Sequence, residues 1–201
     1  MKNQVKFLSK SIYLIGAGGH AFSCADVALS CGYKIKGFFG LKEDLGKSIL
    51  GYTVKATQYE LSQTIKKDDN LLIAVGHTYD KNERLDVFNL FENKCIFPKI
   101  ISPFSIISKY AEVNSGCIVM PGAKVGVDCK IGSHSILNTN SSIDHNSNIG
   151  SFSHISTSVT INGNVNVGSN VFIGSGSVLK DSIELSDNQS FKMCSKITKN
   201  K

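Results

Sequence analysis

From Ile101 to Ile197 every sixth residue is apolar: Ile101, Ile107, Val113, Val119, Val125, Ile131, Leu137, Ile143, Ile149, Ile155, Ile161, Val167, Ile173, Leu179, Leu185, Phe191 and Ile197. Only 41% of the 201 residues are hydrophobic, so an unbroken run of this length is a structural repeat and not chance. Two positions before each large residue the side chain is small or β-branched, as at Ser105, Ala111, Cys117, Ala123, Cys129, Ser135, Ser141, Ser147, Ser153, Val159, Val165, Val171 and Ser177. One large and one small inward residue per short strand, with a turn every six residues, specifies a triangular parallel β-helix whose coils stack at strand spacing. Three hexads make a coil, and about five coils fit between residue 101 and the end. Gly126, Gly132, Gly150, Gly168 and Gly174 follow large inward residues, where the spacing predicts turns that need a backbone without a Cβ. Cys117 and Cys129 fall on the small inward phase and read as core fillers rather than nucleophiles.

Before the hexads the chain has a different character. Apolar strands at 11–16 and 70–76 alternate with helix-like stretches at 20–32 and 81–94, an α/β pattern that implies a mostly parallel sheet. The chain therefore divides into an α/β domain over 1–100 and a β-helix over 101–201. The first strand runs into Gly16, Gly18, Gly19 and His20 at the start of a helix. Such a turn brings the backbone close to a phosphate and offers it helix N-terminal N–H groups. Gly16, Gly18 and Ala21 also satisfy the loose dehydrogenase pattern G-x-G-x-x-A, but the second strand ends in Gly-Phe-Phe-Gly (37–40) without the acid that would hold a ribose.

Six cysteines contain no C-x-x-C pair and no metal-ligand spacing, and reduced cytoplasmic thiols are expected. The apolar patch near the N-terminus is interrupted by the glycine turn, so neither a signal peptide nor a membrane span is expected. The formal charge of +6 favours polyanionic partners, yet the 22 Lys and Arg residues form no basic stripe interleaved with aromatics. A small phosphorylated ligand accounts for that balance, and a nucleic-acid partner is not expected.

The stretch 141–156 carries the chemistry. With Ile143, Ile149 and Ile155 inward, Asp144, His145 and His154 lie off the core phase, at or near the surface. His134 reads as an ordinary solvated histidine. His145 and Gly163 are eighteen residues apart and so stack on adjacent coils, whereas His145 and His154 are half a coil apart and face different ways. A histidine beside a carboxylate, under a glycine, suits general-base chemistry near neutral pH.

Asn138, Ile143, Asp144, His145, Ile149, Gly150, Phe152, His154, Ile155, Gly163, Asn164, Val165, Val167 and Gly168 match the pattern of the NeuD/PglD group of bacterial hexapeptide-repeat sugar acetyltransferases, and 12–39 resembles the group's small nucleotide-binding domain. The resemblance implies that the front domain is Rossmann-like and that the β-helix is left-handed. It implies acetyl-CoA as co-substrate and a nucleotide-linked sugar, or a sialic-acid-like sugar, as acceptor for surface polysaccharide or glycan synthesis. It further implies a homotrimer with the active site between chains. Within it His145 is the general base, with Asp144 or another nearby carboxylate as its orienting partner. Gly163 polarises the thioester carbonyl, and His154, Gly174 and Lys180 lie along the cofactor. Gly16, Gly18, Gly19 and His20 hold the pyrophosphate, and no metal is required.

Three positions depart from the group: Asn146 stands where an acid usually follows the histidine, Gly40 and Leu41 where acids follow the second strand, and Lys192, Met193 and Cys194 where the last coil has small residues. The cluster Lys180, Lys192, Lys196, Lys199 and Lys201 could still attract coenzyme A phosphates. A non-catalytic β-helix that binds or scaffolds is the competing reading. N- and O-acetylation need the same base and are not separated.

Overall fold

The computed structural model describes residues 10–76 and 82–201. Its front domain is a four-stranded parallel sheet in the order β5-β2-β1-β6, built from β1 (Ser11–Ile15), β2 (Lys34–Gly40), β5 (Ala56–Thr57) and β6 (Asn70–Ile73). β3 (Ser48–Ile49) and β4 (Tyr52–Thr53) form a separate antiparallel pair. α1 (Gly19–Ser30) follows β1 and buries Ala21, Cys24, Ala25, Val27 and Ala28 against the sheet, and Gly32 at φ 80° ends it in the left-handed region that favours glycine. α2 (Gln58–Thr64) is a helix the apolar periodicity does not signal. A capping box starts it: the Glu60 N–H donates to Thr57 Oγ1 at 3.3 Å, and the Thr57 N–H donates to Glu60 Oε2 at 2.7 Å. α3 (Glu83–Phe91) completes the domain and sends Val87 and Phe91 into a core with Ile15, Leu61, Leu71 and Ile73.

Seventeen two-residue strands follow, from β7 (Ile100–Ile101) to β23 (Lys196–Ile197). They form three parallel sheets of six, six and five strands, with every strand paired eighteen residues along, as in Ile118 with Ile136 and Lys124 with Ser142. This is the left-handed β-helix. The strands of the first face start at β7, those of the second at β8 (Ile106–Ile107) and those of the third at β9 (Glu112–Val113). The large inward residues form one continuous core from Val113 to Ile197, and each fully buried side chain contributes about 1.5–3 kcal/mol.

The small inward residues do more than fit. Ser135 Oγ donates to the Gly150 carbonyl at 2.8 Å, Ser153 Oγ to Gly168 at 2.8 Å, Cys117 Sγ to Gly132 at 3.0 Å and Cys129 Sγ to Asp144 at 2.9 Å. Each ties a strand to the corner of the next coil.

The turns correct one expectation. The glycines after the large residues are not the left-handed positions. Those fall two residues later, at Asp128 (φ 58°), His134 (φ 60°), Phe152 (φ 59°), Asn170 (φ 55°) and Gly176 (φ 70°). The glycines are required by close approach between coils: a Cβ at Gly132 would lie 2.5 Å from Ser151 N, and one at Gly150 would lie 2.5 Å from Gly168 O.

The front domain docks on the first face, where Ile100, Ile118, Met120 and Ile136 share a buried cluster with Ala21, Cys24, Ala25 and Ala28 of α1. Arg84 crosses the seam, fully buried. Its guanidinium donates to the carbonyls of Ile73 and Val75 in the front domain and of His134 in the β-helix, the last at 2.7 Å.

Candidate active site

His145 sits on the corner between the second and third faces, just after β14 (Ser142–Ile143), and is exposed. In a three-sided coil this corner lies opposite the first face, away from the front domain. Its ring rests on Gly163 of the next coil, where a Cβ would lie 2.5 Å from His145 Cε1 and 2.7 Å from Nε2. Gly163 is needed there because a side chain of any size would displace the ring.

The carboxylate of Asp144 does not orient that ring: its Oδ1 accepts the backbone N–H of His145 at 2.8 Å. The partner of the ring is Asn146, whose Oδ1 lies 2.8 Å from His145 Nδ1. Asn146 Nδ2 in turn donates to Asp128 Oδ2, one coil below, at 2.9 Å. Asn146 is the residue at which the chain departs from the expected acid, and the 18-residue spacing to Asp128 was the signal for its replacement.

The glycine turn lines a second feature. Gly16, Gly18, Gly19 and His20 border a cleft of about 420 Å³ together with Gly40, Leu41, Glu43, Asp44, Gln58 and Glu83. Gly16 holds φ 128° with the Ala74 carbonyl close by, whereas Gly18 and Gly19 face open space. α1 begins at this loop, so its first N–H groups face the cleft and attract anions. No acid stands at Gly40 or Leu41, but a 3₁₀ turn at Lys42–Asp44 returns Asp44 over Gly40. Asp44 Oδ2 accepts the Leu41 N–H at 2.9 Å and Oδ1 pairs with Lys47 at 2.6 Å. The cleft thus receives its carboxylates, Glu43 and Asp44, a few residues later than the sequence pattern places them.

His154 is not a surface residue. β16 (His154–Ile155) belongs to the first face, and His154 is buried there, its ring 6.0 Å from that of His20 and 5.4 Å from that of Phe172. Its Nε2 lies 3.2 Å from Asn138 Nδ2. Burial, reinforced by the Arg84 guanidinium, holds the His20 imidazole down at about 4. His20 therefore offers an anion its backbone and a neutral ring, not a charge. His134, expected to be solvated, is buried too: it stacks on Phe152 at 4.9 Å and meets Phe88 and Phe97 edge-on at 4.7 and 4.8 Å. Burial and then Arg84 bring its pKa to about 4.

The remaining site residues fall on two sides of the prism. Lys180 is exposed two coils above Asp144, on the corner of His145 and Gly163. Gly174 follows β19 (Phe172–Ile173) on the corner between the first and second faces, its backbone against Lys192 and Met193. His154 and Gly174 thus belong to one side of a chain, and His145, Gly163 and Lys180 to another. Among the described residues no group of three or more His, Cys, Asp or Glu side chains could hold a metal ion, and no helix is long and apolar enough to cross a membrane.

Residues 11–88, which include the cleft, match the model of the PglD N-terminal domain. Over these residues the front domain is similar to that family. Solved structures extend the likeness to the β-helix behind the front domain. The acetyltransferase domain of PglB from Neisseria gonorrhoeae FA1090, in complex with acetyl coenzyme A, superposes with a TM-score of 0.86 at 24% identity, covering 96% of this chain and 92% of that one. A mutant of perosamine N-acetyltransferase from Caulobacter crescentus, in complex with CoA and GDP-perosamine, gives 0.85 at 21% identity over 94% and 89%. WeeI from Acinetobacter baumannii AYE gives 0.80 at 17% identity over 95% and 92%. At these identities the front domain and the β-helix share the fold of those proteins. No curated protein sequence matches the chain.

Proposed function

We propose that the protein is an acetyl-CoA-dependent acetyltransferase that acylates the amino group, or a hydroxyl, of a nucleotide-activated or sialic-acid-like sugar. It would act in the cytoplasm, where its six free cysteines stay reduced, in the synthesis of a surface polysaccharide or glycan. The observation that carries this reading is the ring of His145, seated on Gly163 with Nδ1 engaged by Asn146, so that Nε2 is the nitrogen left to take a proton. The relatives that hold CoA, acetyl coenzyme A and GDP-perosamine support the choice of substrates.

In the reaction the acceptor nitrogen attacks the thioester carbonyl carbon and the C–N bond forms. His145 Nε2 accepts the N–H proton, and the Gly163 N–H is available to the oxyanion. Collapse breaks the C–S bond, and the CoA thiolate leaves and regains the proton. The nucleotide pyrophosphate lies on Gly18, Gly19 and the start of α1, with Glu43 and Asp44 available to ribose or base donors. His145 stands on the corner opposite the first face, while the cleft and His154 belong to that face. We therefore read the working unit as a homotrimer, in which the His145 corner of one chain meets the His154 side and cleft of the next.

Thiol release from acetyl-CoA, measured with UDP-, dTDP-, GDP- and CMP-linked amino sugars and their hydroxyl analogues, tests the proposal. Release that depends on one sugar class supports it. Sugar-nucleotide binding with no release for any acceptor would overturn it in favour of a scaffold, a reading prompted by the exposed Met193 and Lys192 on the last coil.

A further inference from the structure

We propose that Asp128 is a positioning residue that fixes the tautomer of His145 through the side-chain amide of Asn146. Asp128, Asn146, Asn164 and Ser182 are spaced by eighteen residues, and all four adopt left-handed backbone conformation, with φ of 58°, 59°, 59° and 58°. Stacked coils therefore place these side chains in one column along the corner that carries His145. Asn and Asp tolerate this conformation better than other residues with a Cβ.

Between Asp128 and Asn146 the hydrogen bond can run in only one direction. A carboxylate only accepts, so the –NH₂ end of Asn146 must face Asp128, as the 2.9 Å contact from Nδ2 to Oδ2 has it. The amide oxygen is then turned to His145 Nδ1 at 2.8 Å. An amide oxygen carries no proton, so the hydrogen of that bond belongs to Nδ1, and the lone pair of the neutral ring falls on Nε2. A free asparagine could rotate by 180° and present its N–H₂ to an unprotonated Nδ1, which would leave Nε2 protonated and useless as a base. Asp128 prevents that rotation. The arrangement sets the tautomer with a neutral group against the ring, where an acid directly after the histidine would place a charge.

This inference rests on the reading of His145 as the general base, but its central claim is measurable without activity. In protein labelled with ¹⁵N-histidine, the side-chain shifts of His145, assigned by their loss in His145→Ala, report which nitrogen carries the proton at a pH where the ring is neutral. The expected result is Nδ1–H in the native protein and a mixture of tautomers in Asp128→Ala. That variant should lose at least about tenfold in kcat with the KM for acetyl-CoA unchanged. The double variant Asp128→Ala/Asn146→Asp should recover the Nδ1–H tautomer, because a carboxylate at 146 accepts directly from Nδ1. Nε2–H in the native protein, or an unchanged tautomer in Asp128→Ala, would overturn the proposal. If instead the tautomer behaves as expected while His145→Ala remains fully active, the role of His145 fails and the positioning by Asp128 stands.

Discussion

The rings of His20 and His154 stand 6.0 Å apart across the seam between the glycine turn and the first face of the β-helix. One comes from the start of α1 and the other from a strand more than 130 residues later. The pair joins the cleft of the front domain to the side of the prism on which Gly174 also lies. His145 looks the opposite way. This division of the site residues underlies the expected behaviour of variants.

Replacing His145 by Ala should lower kcat by roughly 10²–10⁴ while thermal unfolding and acetyl-CoA binding stay nearly unchanged, since the residue is exposed and lies outside the core. Steady-state kinetics with the preferred sugar nucleotide measure it. Near-native turnover would remove the general base from the mechanism.

Gly163→Ala should cost roughly 10² in kcat, because a methyl 2.5 Å from Cε1 must push the His145 ring aside and a displacement of about 1 Å has that effect. Gly163 has no left-handed φ, so the coil should keep its melting temperature. Unaltered kinetics would show that the ring position is not critical.

In the glycine turn two substitutions should part company. Gly18→Val places a side chain in open space, so the fold survives, while the KM for the sugar nucleotide rises and that for acetyl-CoA changes little. Gly16→Val should instead destabilise the domain by about 1–3 kcal/mol, since φ 128° and the nearby Ala74 carbonyl leave no room for a side chain. Equal effects of Gly18→Val on both KM values would mean that the cleft does not bind the nucleotide.

At a sugar-nucleotide concentration well below the raised KM of Gly18→Val, co-expression of His145→Ala chains with Gly18→Val chains should give more activity than either variant alone. A site that draws His145 from one chain and the cleft from its neighbour is intact in some mixed trimers. Light scattering should show a trimer throughout, and a monomer with full activity would refute the shared site.

Stability should fall on acidification. His20 and His134 are held near 4 in the folded protein but titrate near 6.5 when unfolded, so below about 6.5 the unfolded chain binds protons that the folded one does not. Their contribution is complete above pH 6.5 and is lost as the pH falls through 4. Melting temperatures between pH 7.5 and 4.5 should decline less steeply in His134→Phe, which keeps the aromatic stack. A slope identical to that of the native protein would rule out the contribution of His134.

The hexad alone determined the β-helix, the inward columns and the stacking of His145 on Gly163, because a fixed period converts sequence distance directly into height and face. It also contains the step from Asn146 to Asp128, since eighteen residues is one coil and stacks the two side chains. The αβ alternation gave the front sheet and two of its helices, but not α2, which a capping box starts without an apolar stripe.

The tertiary structure decided what the period cannot carry. Where α1 docks on the first face determines that His154 is buried against His20 and that His134 is buried among Phe88, Phe97 and Phe152. It also sets Arg84 across the seam on carbonyls of both domains. Those contacts join segments with no shared repeat, and their geometry follows from the packing of two separate cores. The same holds for Asp44, which reaches the cleft only because the chain turns back over Gly40. Local pattern fixes which way a side chain points along its own strand or coil; what it meets there depends on the element packed against it.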